Sequence, residues 1–553
     1  MIGQQVGYRR LLADNDERTY QQSKMRFERP DIAVIRGAGC VVLAFSALTV
    51  IAQEQTAFES PILDFEEVSA CHPPIRRSLS TELTEPLVPG CDSCGPGPAI
   101  ATPGELTAAM NNAYRGVFYA NDFSYLRDPA YSGPYFAGDA FKGLFDGKLD
   151  FGGEYRSRFH HENNLRGLGL TGNDDQFWLS RVRLFSNYRV TENIRVYGEY
   201  LHADSGGEEF ASRPIEVNRG EFQNLFVDAM LIDCDDVQVS SRAGRQELLL
   251  GAERLVSPLD WANTRRTFDG YRATLTGADN TADLFYTHPV NRIPATGGTN
   301  RWDHSDREQS LFGAYLSNQS LGSEWGVSAL EGYFIGYDND GQNFSFHTLG
   351  GRVAGDADSF LYEFEGGVQF GDNTDGTRHH AGFMTAGIGK VINPDKASGG
   401  WSPTIWAWYD WASGDDSQFV APGDGSFHHY FPLAHKYNGF MDLFGRRNLH
   451  DVNFQFVAPL GERISFLLWY HYFFLDQATT PYSVVMTPYN AANAAVSKDL
   501  GHEIDLLLTV TINPRQSLLI GYSHFQSGDY YDTPGVQFSG DADFFYSQYQ
   551  VRF

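Results

Sequence analysis

The sequence predicts an all-β protein, a transmembrane antiparallel β-barrel of about 18 strands with short periplasmic turns and long extracellular loops. Three observations lead to this prediction. Strand-length segments alternate apolar and polar residues, the connections between them alternate between very short and long, and the chain ends in the aromatic strand FFYSQYQVRF. Beyond residue 60 no stretch of about twenty apolar residues appears, so no membrane-spanning helix is expected.

The first 52 residues are predicted to be a secretory signal peptide. Basic residues precede an apolar run from Ala38 to Ala52, and a small residue stands before Gln53. Because the basic region is long, Met25 is an alternative start, and a short membrane anchor is the alternative to a cleaved signal. The sequence therefore predicts an exported protein.

Residues 53–112 are rich in Pro, Ser, Thr and Glu and show no sustained periodicity. They are predicted to form a low-complexity, largely disordered periplasmic segment, and residues 113–553 are predicted to form the barrel. Cys71, Cys91 and Cys94 lie in the Pro- and Gly-rich part of this segment, where a local disulfide and free thiols remain the alternatives.

The first predicted strand shows the two-residue alternation clearly. Its apolar face carries Leu149, Phe151, Tyr155 and Phe159, and its ionic face carries Asp150, Glu154, Arg156, Arg158 and His160. In the aromatic stretch Gly461–Phe474 the side chains predicted to face lipid are Ile464, Phe466, Leu468, Tyr470 and Tyr472. Such strands fit a wall with lipid on one side.

The connections support the same architecture. The longest loops are predicted around residues 414–445 and 476–497, and the strands between turns are long enough to cross a tilted barrel wall. The short turns are predicted at residues 191–193, 233–236, 278–281, 318–324, 355–358, 393–400, 459–462 and 513–516.

Charge narrows the possible functions. The net charge of -27 makes nucleic-acid binding unexpected, yet all basic residues between Leu149 and Arg307 are arginine. An arginine facing lipid near the membrane midplane costs about 2 to 4 kcal/mol, so the periodic arginines are predicted to face the lumen. The predicted pore-lining residues are Arg156, Arg158, Arg181, Arg183, Arg245, Arg265, Arg266 and Arg272, with Asp269, Glu503 and Asp505 tuning their orientation and field.

Two roles are open for these arginines. Guanidinium groups form paired hydrogen bonds with carboxylates, so a row of them lets a polyuronate move from one partner to the next. Alternatively, they pair with lumenal acids and brace a wide barrel. The absence of lysine favours the first role, because a general need for positive charge would accept either residue.

No enzymatic site is predicted, and no metal or cofactor. The histidine pairs fall mostly at strand ends or in loops without acidic ligands at metal-binding spacing. The acidic loops Tyr337–Asn343 and Gly371–Gly376 fit solvated turns as well as calcium sites. His471 is the one candidate for a barrel hydrolase acting on lipid, and a packing histidine is the simpler interpretation.

Several segments together resemble the alginate export porin family of Gram-negative outer membranes. They are FYANDFSYL (118–126), GGEYRSRF (152–159), GRQEL (244–248), NTRRTFDGYR (263–272), GHEIDL (501–506) and GYSHFQSGDY (521–530). The resemblance implies an 18-stranded barrel with an arginine-rich constriction for an anionic uronic-acid polymer. It also implies a long periplasmic turn late in the barrel, whereas the corresponding turn here, NPRQ, is minimal.

We therefore predict a channel in the outer membrane of a Gram-negative-type bacterium that passes an anionic polysaccharide, with export of alginate or a similar polymer as the leading interpretation. The predicted partners are the polyuronate, outer-membrane lipid, and periplasmic secretion or polymer-modifying proteins. A general or oligosaccharide-uptake porin is the first alternative, and a barrel enzyme acting on lipid is the second.

Overall fold

The structure is a computed structural model that describes residues 102–234, 236–292, 302–393, 401–416, 425–490, 493–536 and 538–553. The predicted signal peptide, most of the predicted low-complexity segment and Cys71, Cys91 and Cys94 lie outside the described residues. Of the described helices, none is long and apolar enough to cross a membrane.

Nineteen strands follow one another along the described chain. Eighteen of them form the barrel, because β8 pairs only with the end of β7, and β7 pairs directly with β9. The strands are β1 (Leu149–Asn163), β2 (Asp175–Arg189), β3 (Ile194–Gly206), β4 (Asn218–Asp233), β5 (Val237–Gln246), β6 (Phe268–Gly277), β7 (Asn280–Asn291), β8 (His304–Ser305), β9 (Gln309–Asn318), β10 (Val327–Asn339), β11 (Phe344–Ala357), β12 (Phe360–Asp372), β13 (Arg378–Val391), β14 (Thr404–Ala412), β15 (Leu449–Pro459), β16 (Ile464–Leu475), β17 (Asp499–Asn513), β18 (Gln516–Ser527) and β19 (Ala542–Arg552).

The barrel closes through antiparallel pairing of its first and last strands. Tyr155 of β1 lies opposite Val551 of β19, and each other barrel strand pairs with its neighbours in the same way. Closure removes the free edges that an open sheet would expose to lipid. The predicted antiparallel barrel of about 18 strands is thus confirmed.

Strand faces follow the predicted alternation. On β16, Ile464 and Leu468 are exposed on the outer surface, whereas His471 and Phe473 are fully buried inside. The inner face of the barrel buries charged groups instead of apolar ones at many positions, among them Glu154, Arg181, Glu199, Asp451 and Glu503. An apolar outside and a polar inside are typical of a barrel surrounded by lipid.

The residues before the first strand form a segment of their own. β1 begins at Leu149, where the sequence also predicts the first strand, so residues 113–148 of the predicted barrel domain precede the barrel strands. The part of this segment up to Phe136 packs against the inner-wall residues Phe185, Tyr197 and Phe226. This segment contains helix α1 (Pro103–Asn111), three short 3-10 turns and the four-residue helix α2 (Leu144–Gly147). We call residues 102–148 the N-terminal plug.

Helix α1 also extends into the segment that the sequence predicts to be disordered up to residue 112. A capping box begins the helix, because the Thr102 side chain accepts from the Glu105 N–H at 3.3 Å and Glu105 accepts from the Thr102 N–H at 2.7 Å. Leu106 and Met110 are buried against aromatic side chains of the plug and the barrel wall. The helix is therefore stabilised by packing that composition alone does not reveal.

The outward orientation of β11 can be tested with Leu349, which is 57% exposed on the outer face. We expect Leu349→Arg to lower the free energy of unfolding by about 2 to 4 kcal/mol, because the charge enters the hydrocarbon layer. The measurement is denaturant titration of the protein folded into phospholipid vesicles. Leu168→Arg, in the loop after β1, is the matched control and should change the stability little; equal losses for both variants would contradict the assignment of the outer face.

Candidate functional site

Four predicted arginines line one part of the inner wall. Arg156 and Arg158 alternate on β1, Arg181 and Arg183 alternate on β2, and Arg156 lies directly opposite Arg181 in the sheet. Because alternate residues of a strand share a face, the four guanidinium groups enter the lumen together. Each of these residues is at most 2% exposed, so other parts of the chain cover them.

The covering segment is the connection between β5 and β6, residues 247–267, which folds into the lumen. The Asn263 side chain ties it to the wall by donating to the carbonyl oxygens of Ser180 at 3.0 Å and Glu216 at 2.9 Å. At its other side, Val256 bridges to Phe431 of the connection between β14 and β15. We call residues 247–267 the inner loop.

Asp260 of the inner loop lies at the centre of the arginine group. Its carboxylate accepts from Arg181 at 2.9 Å and also pairs with Arg265. Arg181 is held in addition by Glu154 at 2.6 Å. The Asp260 side chain remains 28% exposed, so accessible space borders this carboxylate inside the barrel.

Backbone oxygens of the inner loop cover the two arginines of β1. Arg156 donates to the carbonyl oxygens of Asp260 at 2.8 Å and Ala262 at 2.6 Å, and Arg158 donates to that of Trp261 at 2.9 Å. Arg158 also donates to the Gln548 side chain at 2.8 Å, and its guanidinium lies 3.7 Å from the centre of the Trp261 ring. All of these acceptors are neutral.

Arg156 and Arg158 differ from Arg181, which pairs with the carboxylates of Glu154 and Asp260. Among the described residues, no carboxylate lies within ion-pair distance of Arg156 or Arg158, and the Nε atom of Arg156 is buried without a hydrogen-bond partner. A buried charge without a counter-charge is costly. A carboxylate in direct contact would therefore be a stronger partner for Arg156 and Arg158 than their present neutral acceptors.

The electrostatics of the inner loop are consistent with a carboxylate held among cations. Burial acts to raise the pKa of Asp260, but Arg265, Arg181 and Arg156 outweigh it and hold that pKa well below the usual value. Burial acts to lower the pKa of Arg265, whereas Glu247 and Asp260 raise it above the usual value. Both groups are therefore charged at neutral pH.

Arg265 and Arg266, which the sequence predicts to line the pore, do not lie on a barrel strand but belong to the inner loop. Arg265 pairs with Glu247 and Asp260 and donates to the Gly116 carbonyl oxygen of the plug at 2.8 Å. Arg266 donates to the backbone oxygen of Phe431, joining the inner loop to the connection before β15. These two arginines thus hold loops together.

Arg183, Arg242 and Arg272 face the lumen nearer the end of the barrel that carries the short turns. The guanidinium of Arg183 stacks on Phe118 of the plug at 3.7 Å, and that of Arg242 stacks on Tyr119 at 4.0 Å. Arg272, opposite Arg242, pairs with Asp283 at 2.8 Å. The plug therefore covers this second group of arginines with aromatic rings.

The plug is tied to the barrel end by further contacts. Arg515, in the minimal turn between β17 and β18, donates to the Met110 carbonyl oxygen at 3.0 Å and to the Tyr125 hydroxyl at 2.7 Å. The Tyr114 hydroxyl donates to the carbonyl oxygen of Phe553 at 2.6 Å. The periplasmic end of the lumen is thus filled by the chain's own N-terminal segment.

Two predicted lumenal residues, Arg245 and Asp269, face the outer surface instead. Arg245 lies opposite the exposed Leu225 and pairs with Asp269 at 2.9 Å and Glu221 at 3.2 Å. Arg245 follows Arg242 by three positions, so the two occupy opposite faces of an extended strand. The sequence prediction overlooked Arg242, the lumenal member, although this spacing identifies it.

Glu503 and Asp505 face the lumen from β17, but their contacts differ from the prediction. Glu503 accepts from the Met441 N–H at 2.9 Å, and Asp505 accepts from the Phe440 N–H at 3.3 Å. These acids therefore hold the connection before β15. His471 is fully buried beside Asp451 at 2.8 Å, which is the environment of a packing histidine.

The sequence prediction also missed Asp260, one of the two acids that organise the inner loop. The other, Glu247, is among the lumenal acids that the sequence offers as partners for the arginines. Asp260 stands in PLDWANTRR, five residues before the first of the paired arginines, and this closeness was the available signal. Within the described ranges, no group of three or more His, Cys, Asp or Glu side chains is placed to hold a metal ion.

The comparison with known protein families identifies one family that this chain matches. The sequence model described as "Alginate export" matches residues 147–542. No curated protein sequence matches the chain. Among solved structures, OccAB1 of Acinetobacter baumannii is similar with a TM-score of 0.47 at 12% identity, covering 73% of this chain and 96% of that one. OpdO of Pseudomonas aeruginosa is similar with a TM-score of 0.49 at 11% identity, covering 73% and 97%.

Because Arg242 and Arg245 lie on opposite faces of β5, only substitution of Arg242 is expected to change the ion selectivity of the channel. We expect Arg242→Gln to lower the preference for anions over cations, because a lumenal charge is removed. Arg245→Gln, its matched control on the same strand, should leave the reversal potential in a salt gradient unchanged. A larger shift for Arg245→Gln than for Arg242→Gln would contradict the assignment of the two faces.

The plug position predicts that its removal opens the lumen. We expect deletion of residues 103–127 to raise the single-channel conductance in planar bilayers, because helix α1 and the aromatic rings leave the barrel end. Deletion of residues 60–84, which is of equal length, controls for shortening of the chain. Equal conductance of the two deletion variants would show that the plug does not limit the current.

Proposed function

The chain belongs to the alginate export family, and we propose that it passes an anionic polysaccharide, alginate or an alginate-like polymer, across the outer membrane of a Gram-negative-type bacterium. The observation that carries the proposal is the pair Arg156 and Arg158, buried on the inner wall with neutral acceptors only. A polymer that carries one carboxylate on each sugar supplies the missing counter-charge. The family and the closed barrel indicate a channel and not an enzyme.

Arginine suits this task better than lysine. A guanidinium group binds a carboxylate through two parallel hydrogen bonds and keeps its charge when it is partly desolvated. Arg156, Arg158 and Arg181 form adjacent steps on two neighbouring strands, so a carboxylate can move between partners without entering an uncharged region. Conduction requires that each step bind weakly enough to release.

The structure represents a closed arrangement for such a polymer. The inner loop covers Arg156, Arg158 and Arg181, and the N-terminal plug covers Arg183 and Arg242. Passage therefore requires both segments to move. Periplasmic secretion or polymer-modifying proteins are the proposed partners, and they, with the polymer gradient, set the direction of transport.

The function can be tested with the double variant Arg156→Gln/Arg158→Gln. We expect its affinity for alginate oligosaccharides to fall about tenfold or more, because hydrogen bonds to charged groups contribute ~1.5 to 3 kcal/mol each. The measurements are block of the reconstituted channel current and equilibrium binding to the detergent-solubilised protein.

Arg463→Gln, at the exposed turn before β16, is the matched control and should keep the wild-type affinity. A neutral dextran of similar length should block neither protein. A wild-type channel that treats alginate and dextran alike would contradict the proposal and favour a general porin.

A further inference from the structure

The inner loop presents to the arginines the same kinds of oxygen atom that a uronic-acid unit carries. One carboxylate, that of Asp260, pairs with Arg181 and Arg265. Neutral carbonyl oxygens of Asp260, Trp261 and Ala262 accept from Arg156 and Arg158. A uronate residue likewise carries one carboxylate and several neutral oxygens, so the loop and the polymer offer the same groups to the same donors.

The structure assigns to Asp260 the role of an internal competitor, which occupies the carboxylate subsite of Arg181 until a polyuronate carboxylate replaces it. This inference rests on the proposed function, because it requires that an anionic polymer bind the same guanidinium groups. The subsite on the wall comprises Arg156, Arg158 and Arg181, and its ligand is a carboxylate on a sugar ring. Arg265 pairs with Asp260 within the inner loop and moves with it.

The backbone next to Asp260 indicates that the ion pairs of Asp260 hold the inner loop in its position over the arginines. Leu259 has a φ angle of 58°, in the left-handed region that is unfavourable for a residue with a side chain. Its N–H donates to the Ser257 hydroxyl at 3.0 Å, which helps to keep the turn. Strain of this kind persists only where surrounding contacts enforce it, and the ion pairs of Asp260 are such contacts.

Exchange of one carboxylate for another avoids a large electrostatic cost. If the inner loop left the arginines without a replacement, Arg181 would keep Glu154, but Arg156 and Arg158 would lose their backbone acceptors. A polymer that enters as the loop leaves supplies acceptors in the same step. A neutral polymer has no carboxylate to replace that of Asp260 at Arg181. The inner loop therefore adds to the specificity for anionic polymers.

The test compares Asp260→Asn with the wild-type protein over its full chain. Asparagine keeps the shape of the side chain and removes the charge, so the competitor is weakened while the arginines remain. We expect equilibrium binding of a fluorescent alginate oligosaccharide to become about tenfold tighter, because affinity rises with the fraction of binding-competent protein. A neutral maltooligosaccharide of equal length should bind neither protein.

A second variant, Asn263→Ala, releases the inner loop from the carbonyl oxygens of Ser180 and Glu216 without changing an arginine or Asp260. It should also tighten oligosaccharide binding. Asp340→Asn, in the exposed turn after β10, is the matched control and should bind as the wild type does.

The outcomes separate the inference from the proposed function. Tighter binding by both loop variants supports the competitor role. Unchanged or weaker binding by Asp260→Asn and Asn263→Ala, together with loss of binding by Arg156→Gln/Arg158→Gln, overturns the competitor role and leaves the proposed function standing. Absence of binding by all proteins, wild type included, overturns both.

Discussion

Each barrel strand divides its side chains between lipid and the interior, and this division forces most charged groups of the wall into one confined space. Glu154, Arg181 and Glu199 are fully buried there, at positions where a soluble protein of this size would place apolar residues. A buried charge must find a counter-charge or hydrogen-bond partners. The organisation of the lumen follows from this requirement.

Most lumenal arginines satisfy the requirement with acids of neighbouring strands. Arg183 pairs with Glu199 at 2.6 Å and Arg242 with Asp228 at 2.7 Å, so these pairs also brace adjacent strands. These arginines therefore have the bracing role considered for the set. Arg156 and Arg158 have neutral partners, and the proposed function gives the binding role to them.

Two segments of the chain close the barrel by different chemistry. The inner loop presents a carboxylate and carbonyl oxygens to the arginines of β1 and β2. The N-terminal plug presents aromatic rings to Arg183 and Arg242 and is held by Arg515 of a very short turn. Each half of the lumen thus has its own cover, and the competitor role proposed for Asp260 concerns the first of them.

The sequence by itself determined the barrel, the approximate strand count and the face of most residues, because a two-residue alternation is a local property of an extended chain. It also placed Arg156, Arg158, Arg181, Arg183 and Arg272 on the lumenal face. The tertiary structure alone decided what covers them. Arg158 meets Gln548, Arg156 meets Ala262, and Arg515 meets Met110. These contacts join parts of the chain that are far apart, and neither the inner loop nor the plug has a periodicity from which its path could be read.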